Sequence, residues 1–152
     1  MDLSSVKELT ERSDGLSTSL GITLVSTPEV DECVAVMSVD ERTRQPFGIL
    51  SGGATMALAE TLAGAASIAL CPDDICVGVS VSGNHLKSVA EGDTVTARAR
   101  LLNKGRRLHV WNVSVTDSAG NLISTVNVMN YLKRRHAVAE EDIAKQTKTK
   151  EA

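Results

Sequence analysis

The sequence is short of aromatic side chains: Phe47, Trp111 and Tyr131 are the only three in 152 residues. So sparse a set offers no series of stacking platforms for single-stranded nucleic acid. Charge of one sign is lacking too. Sixteen Lys and Arg stand against 19 Asp and Glu, a net −3 at pH 7. That excludes the bulk attraction by which strongly basic domains hold nucleic acid or anionic membranes. Cysteines are few and odd in number (Cys33, Cys71, Cys76), which speaks against a disulfide framework. Cys71 and Cys76 are close in sequence, yet no second thiol pair or nearby histidine completes a zinc set, so no metal is expected. The first residues, MDLSSVKELTERSDG, are polar and charged rather than leader-like. A reduced, cytoplasmic setting is the simplest expectation. No P-loop, dinucleotide fingerprint or nucleophile elbow is visible.

What is present is enough apolar material, 42% of residues, for one domain with a real core. Its centre is the stretch 48–70, GILSGGATMALAETLAGAASIAL. It reads as a long helix of small residues entered through Ser51-Gly52-Gly53. With 23 residues and a single charge it has the length of a membrane span. Much of it is Gly, Ala, Ser and Thr, however, and the rest of the chain carries strand patterns that need something to cover. A buried helix, and no membrane partner, is therefore expected. It starts near Gly52 and stops before Cys71-Pro72, because a residue preceding proline disfavours helix.

Residues 2–12 carry Leu3, Val6 and Leu9 on one helical stripe, with Ser4 or Ser5 as cap. Residues 14–20 read as a polar turn, 21–26 and 30–38 as a strand hairpin, and 39–47, with Pro46, as a loop. After the helix come four alternating runs at 75–87, 94–103, 107–117 and 121–132. Their short, turn-like separators favour antiparallel neighbours. Residues 136–152 read as a polar, partly helical tail outside a single domain spanning 1–135. The sum is an α+β architecture: an antiparallel sheet around one long helix that is covered on most sides.

Glu60 is the only ionisable residue in that helix, and burying it is costly unless something satisfies or uses it. A backbone group or His85 is one solution; chemistry is the other. At the helix start, Gly52 and Gly53 let a ligand approach N–H groups that have no intrahelical partner. Such an end suits a carbonyl oxygen that gains negative charge. Glu60 lies eight residues further on, roughly 12 Å along the axis. One helix cannot hold a carbonyl at its end and attack it with its own Glu60. If both groups serve one carbon, two subunits supply them from antiparallel helices, in a dimer with two shared sites. Gln45 can add an amide donor. Asn84, His85 and Lys87 end a strand, and Lys104, Gly105, Arg106 and Arg107 form a basic turn able to grip phosphate or simply to be solvated. Phe47, Met56 and Leu58 are candidates for an apolar pocket.

Taken together, the run Asp40-Glu41-Arg42-Thr43-Arg44-Gln45-Pro46-Phe47-Gly48-Ile49-Leu50, then Gly52-Gly53-Ala54, Leu58-Ala59-Glu60, Asn84-His85 and Gly105-Arg106 with Val110-Trp111, resembles the hotdog-fold acyl-CoA thioesterases of the 4-hydroxybenzoyl-CoA thioesterase/PaaI-like group. The similarity is greatest to the branch that includes 1,4-dihydroxy-2-naphthoyl-CoA thioesterase, and it spans about residues 20–133. The resemblance implies a hotdog fold and hydrolysis of an acyl-CoA with an aromatic or medium-sized acyl group, with no cofactor beyond the CoA of the substrate. It implies Glu60 as nucleophile or general base, and the Gly52 N–H with Gln45 on the thioester carbonyl. Ser51 and Gly53 flank that position. Asn84, His85, Lys87 and residues 104–107 would meet the CoA nucleotide. It also implies back-to-front dimers, commonly paired into homotetramers. Two positions depart from the family pattern: Ser51 stands where His is usual, and Gly64 where Ser or Thr is frequent. These motivate a rival reading, a non-catalytic acyl-CoA-binding protein; a separate rival is a hotdog hydratase, which needs a histidine base and has only His85 in the central region to supply it.

Overall fold

The computed structural model describes residues 1–10 and 15–135, so the expected tail at 136–152 lies outside the described residues. The chain forms α1 (Ser4–Thr10), α2 (Leu16–Ser19), β1 (Thr23–Val25), β2 (Glu32–Ser38), α3 (Gly52–Leu70), β3 (Asp74–His85), β4 (Thr94–Lys104), β5 (Leu108–Thr116) and β6 (Leu122–Arg134). Alternation builds the sheet. In β4, Val95, Ala97 and Ala99 are fully buried while Thr94, Arg98 and Arg100 face out. β5 does the same with Trp111, Val113 and Val115. The inward faces of both meet α3, whose Leu58, Ala59, Leu62, Ala63 and Ala66 are also fully buried. Alanines on both sides let helix and sheet approach closely, as the sequence implies.

Two expectations about local structure change. Residues 14–20 are not merely a turn, since Leu16–Ser19 closes one helical turn with Ser17 buried. At α1 the Asp2 carboxylate accepts the Ser4 N–H at 2.9 Å, so capping falls to Asp2 rather than to Ser4 or Ser5.

The sheet order is β1-β2-β4-β5-β6-β3, antiparallel throughout. β4, β5 and β6 are hairpin neighbours, as expected. β3 is not beside β4: it pairs with β6 and forms an edge. The short 86–93 connection crosses the sheet end because it is held elsewhere. Leu50 N–H donates to the Val89 carbonyl at 2.8 Å, Glu91 N–H to Gly48 at 2.9 Å, and Gly92 N–H to Val39 at 2.8 Å. These bonds hand the chain to β2 rather than back along β3.

The helix is also less enclosed than its composition suggests. Gly53 and Glu60 are exposed, and Ala57, Thr61 and Gly64 on the same side are only partly covered. α3 has the length and hydropathy of a membrane span, but its apolar side is packed into the sheet.

One buried polar cluster sits under the C-terminal half of α3. Ser67 Oγ accepts from Trp111 Nε1 at 2.9 Å and Asn130 Nδ2 at 3.0 Å, and lies 3.2 Å from His109 Nδ1. His109 is 1% exposed. Burial, reinforced by the Lys104 charge and opposed by Asp74, pushes its pKa below the ordinary 6.5. The unfolded chain therefore binds this proton at a higher pH than the folded one. Its contribution to stability is complete above about pH 6.5 and is lost as pH falls through the depressed folded value. Thermal melts are expected to be level above pH 6.5 and to decline below it, and His109→Gln is expected to flatten that decline. An unchanged decline in the variant assigns it to other groups.

Candidate active site

The loop before α3 is locked before it reaches the helix. Gly48 turns the chain at φ +74, a conformation that favours glycine. Gln45 N–H donates to Ile49 at 2.8 Å and Ser51 N–H to Thr43 at 2.8 Å. Arg44 pairs with Glu91 of the 86–93 connection at 3.2 Å. The first intrahelical bond runs from Thr55 N–H to the Ser51 carbonyl at 3.1 Å. The N–H groups of Gly52, Gly53 and Ala54 thus precede the ladder. Ser51 is the N-cap, and its side chain makes no capping bond.

The Gly52 end borders a pocket of about 270 Å³. Gln45, Thr55, His85, Lys87, Ser88 and Ser124 supply its polar lining, and Ile49, Leu50, Leu86, Val89 and Ile123 its apolar lining. Gln45 Nε2 is 3.3 Å from the Leu50 carbonyl, a long bond that leaves the amide free to turn toward a ligand. Of the expected apolar candidates, Leu58 is fully buried in the core, Met56 is partly buried against that core and Phe47 is 85% exposed, so none of the three lines this space. Thr55 and Ser124 were not singled out from the sequence. Ser124 enters only through register, since it is the β6 partner of His85. Its Oγ is 2.9 Å from His85 Nδ1 and fixes the ring.

His85 is not paired with Glu60. The ring stands against the start of α3, where a Cβ on residue 52 would come within 2.7 Å of Nε2. Only glycine at 52 leaves room for that imidazole. Glu60, an exposed side chain, lies instead beside β3: a Cβ on Gly78 would come within 2.4 Å of its Oε1. The burial cost expected for Glu60 is therefore not incurred within one chain.

The remaining candidates separate. Asn84 is exposed on β3 beside His85, and Lys87 pairs with Asp117 at 3.6 Å. Lys104, Arg106 and Arg107 lie at the other end of the sheet. Ser124, opposite His85, and Tyr131, opposite Leu108, are seven residues apart on β6, roughly 23 Å at a strand's rise. There Arg106, Arg107, Tyr131, Lys133 and Arg134 border a basic depression with Asp74, and Arg107 Nη1 donates to Tyr131 Oη at 2.9 Å. A single chain does not bring this turn to Gly52.

Ser67, His109 and Asp74 look like a nucleophile set in composition only. Ser67 is fully buried and its hydroxyl already serves Trp111 and Asn130. Burial likewise pushes the Cys33 thiol up to about 12, so it is no nucleophile.

Comparison with known proteins places these features in context. The profile described as Thioesterase superfamily matches residues 47–124. A Bacillus subtilis relative named as an esterase, ComA2, is 47% identical over 107 residues, covering 69% of this chain and 83% of its own. A Listeria monocytogenes protein named 1,4-dihydroxy-2-naphthoyl-CoA hydrolase is 37% identical over 110 residues, 72% of this chain and 88% of its own. The crystal structure of a Haemophilus influenzae thioesterase superposes with a TM-score of 0.79 at 35% identity, covering 88% of this chain and 92% of that one.

Proposed function

From the premise that this chain belongs to the Thioesterase superfamily and is a thioester hydrolase with the hotdog fold, we propose that it cleaves an acyl-CoA with an aromatic or medium-sized acyl group. The products are a free acid and CoA. The thioester oxygen binds the Gly52 N–H with help from the Gln45 amide, and Glu60 of a second subunit attacks the carbonyl carbon or deprotonates water for the attack. CoA leaves as the thiol. The observation that carries this reading is the separation itself. Gly52 opens on a pocket, Glu60 is exposed eight residues along the same helix, and each lacks its complement.

A second copy supplies the complement. Among the described residues β3 is a free sheet edge with Ile75, Val77 and Val79 exposed by 37%, 49% and 54%, an edge that invites pairing. The neighbouring side of α3 offers Gly53, Ala57, Thr61 and Gly64, small enough for a second helix to lie close. Antiparallel pairing of two β3 edges turns the partner's Asp74 end toward this chain's His85 end. The partner's basic turn then joins the Gly52 pocket, where Arg106 and Arg107 meet the CoA phosphates. A homodimer with two shared sites is the functional unit, and a pair of dimers its larger assembly. His85, held by Ser124, offers a ring nitrogen at the helix end in place of the histidine that position 51 lacks. The Listeria relative's name favours an aromatic acyl group.

Free-thiol release from a panel of aromatic and aliphatic acyl-CoAs, with an enoyl-CoA hydration control, tests the reading. Rapid release from at least one ester is expected; hydration without release would sink it. The basic turn has its own test. Arg106→Ala/Arg107→Ala is expected to raise KM for the CoA ester about tenfold or more. It is expected to leave KM unchanged for an N-acetylcysteamine thioester, which lacks the nucleotide. Equal effects on both esters would remove the turn from the CoA site.

A further inference from the structure

β3 is not a regular strand. Its register with β6 shifts between Gly78 and Ser80, so Val79 is an extra residue and the strand bulges. Gly78 stands at the start of that bulge, level with Glu60 of α3. A Cβ there would lie 2.4 Å from Glu60 Oε1, 3.4 Å from Cδ and 3.7 Å from Cγ. The carboxylate thus rests against bare backbone at Gly78, the one of the two β3 glycines that faces it, with no side chain between them. Gly78 is not among the glycines with positive φ, so backbone conformation does not demand glycine there. Nor does packing within the core, since the residue is exposed. What the missing side chain provides is room for one carboxylate oxygen.

We propose that Gly78 is a positioning residue for Glu60: the bulged backbone of β3 forms the seat that sets where the carboxylate stands. The inference rests on the reading of Glu60 as the catalytic carboxylate, and adds the element that aims it. A methyl group at residue 78 needs Oε1 to retreat from 2.4 Å to at least the 3.4 Å of ordinary contact, a shift of about 1 Å. Glu60 is a flexible, exposed side chain, so it moves and the strand does not. A misplacement of about 1 Å in a reacting group costs on the order of a hundredfold in rate.

The experiment is a cycle of Gly78→Ala and Glu60→Asp, read as kcat, KM and Tm. Gly78→Ala alone is expected to lower kcat about a hundredfold with KM and Tm near wild type. Glu60→Asp alone withdraws the carboxylate by one methylene and empties the seat. In that background Gly78→Ala is expected to cost nothing further, because the methyl enters vacant space. A merely structural glycine would cost the same in both backgrounds, and that outcome overturns the proposal, as does a wild-type kcat in Gly78→Ala. A crystal structure of Gly78→Ala gives a reading independent of turnover: Oε1 displaced from β3 supports the seat, and an unmoved Oε1 overturns it. Failure of the underlying reading has a separate signature, wild-type kcat in Glu60→Asp and Glu60→Gln.

Discussion

Glu60→Gln is expected to lower kcat for the best acyl-CoA ester about a thousandfold, within the range lost when a positioned acid–base group is removed. The same substitution is expected to leave Tm unchanged. The two expectations have one source. Glu60 is exposed on α3, and among the described residues no hydrogen bond or ion pair holds it. Its neighbour is the bare backbone at Gly78. Surface substitutions with no such ties change stability by about 0.5 kcal/mol or less. Glutamine keeps the size and the reach of the side chain and removes only its charge and basicity. A carboxylate kept for folding would show the opposite pattern, intact turnover and a lowered Tm. Single-turnover reactions in oxygen-18 water then divide the two roles open to Glu60. If water opens a Glu60–acyl anhydride at the Glu60 carbon, Glu60 acquires the label; opening at the acyl carbon and direct attack by base-activated water both label the product acid, and trapping the anhydride with hydroxylamine separates those two.

The sequence carried the site's ingredients more fully than its geometry. Gln45, Gly52 and Glu60 stand out as candidates because they sit in one contiguous stretch, where local conformation fixes their spacing. Periodicity carried the sheet, since an alternation such as Val95, Ala97 and Ala99 has one face to bury. What local patterns do not encode is which strands become neighbours. The position of β3 beside β6, rather than β4, depends on bonds from the 86–93 connection to Gly48, Leu50 and Val39. The place of His85 against the start of α3 is not legible locally for that reason. Its partner Ser124 is 39 residues away, and only the β3–β6 register brings the two together. Gly78 was passed over because a glycine in an alternating run announces nothing until its opposite face is known. Glu60 was expected to be enclosed because helix composition reports apolarity all round. It does not report that its own sheet leaves one side of α3 open, the side on which the proposed dimer sets the partner.

That last point sets the second large effect. Glu60→Gln and Gly52→Val are each expected to be nearly inactive, and a mixture of the two is expected to regain activity. At residue 52 a Cβ alone would come within 2.7 Å of His85 Nε2, and the valine methyls add bulk where the carbonyl oxygen must bind. The Glu60→Gln chain keeps a working helix end, and the Gly52→Val chain keeps a working carboxylate. In a heterodimer one site receives both defects and the other receives neither. Random reassortment of equal amounts makes about half of the dimers mixed, each with one intact site, so about a quarter of wild-type activity returns. Helix geometry makes the outcome decisive. Gly52 and Glu60 of one chain are roughly 12 Å apart along a rigid axis, and the Gly78 seat holds the carboxylate on the β3 side, away from its own helix end. If both groups came from one chain, no mixture of these variants could assemble an intact site, and activity would stay at the level of the separate proteins. Recovery therefore measures subunit sharing directly, without a structure of the assembly.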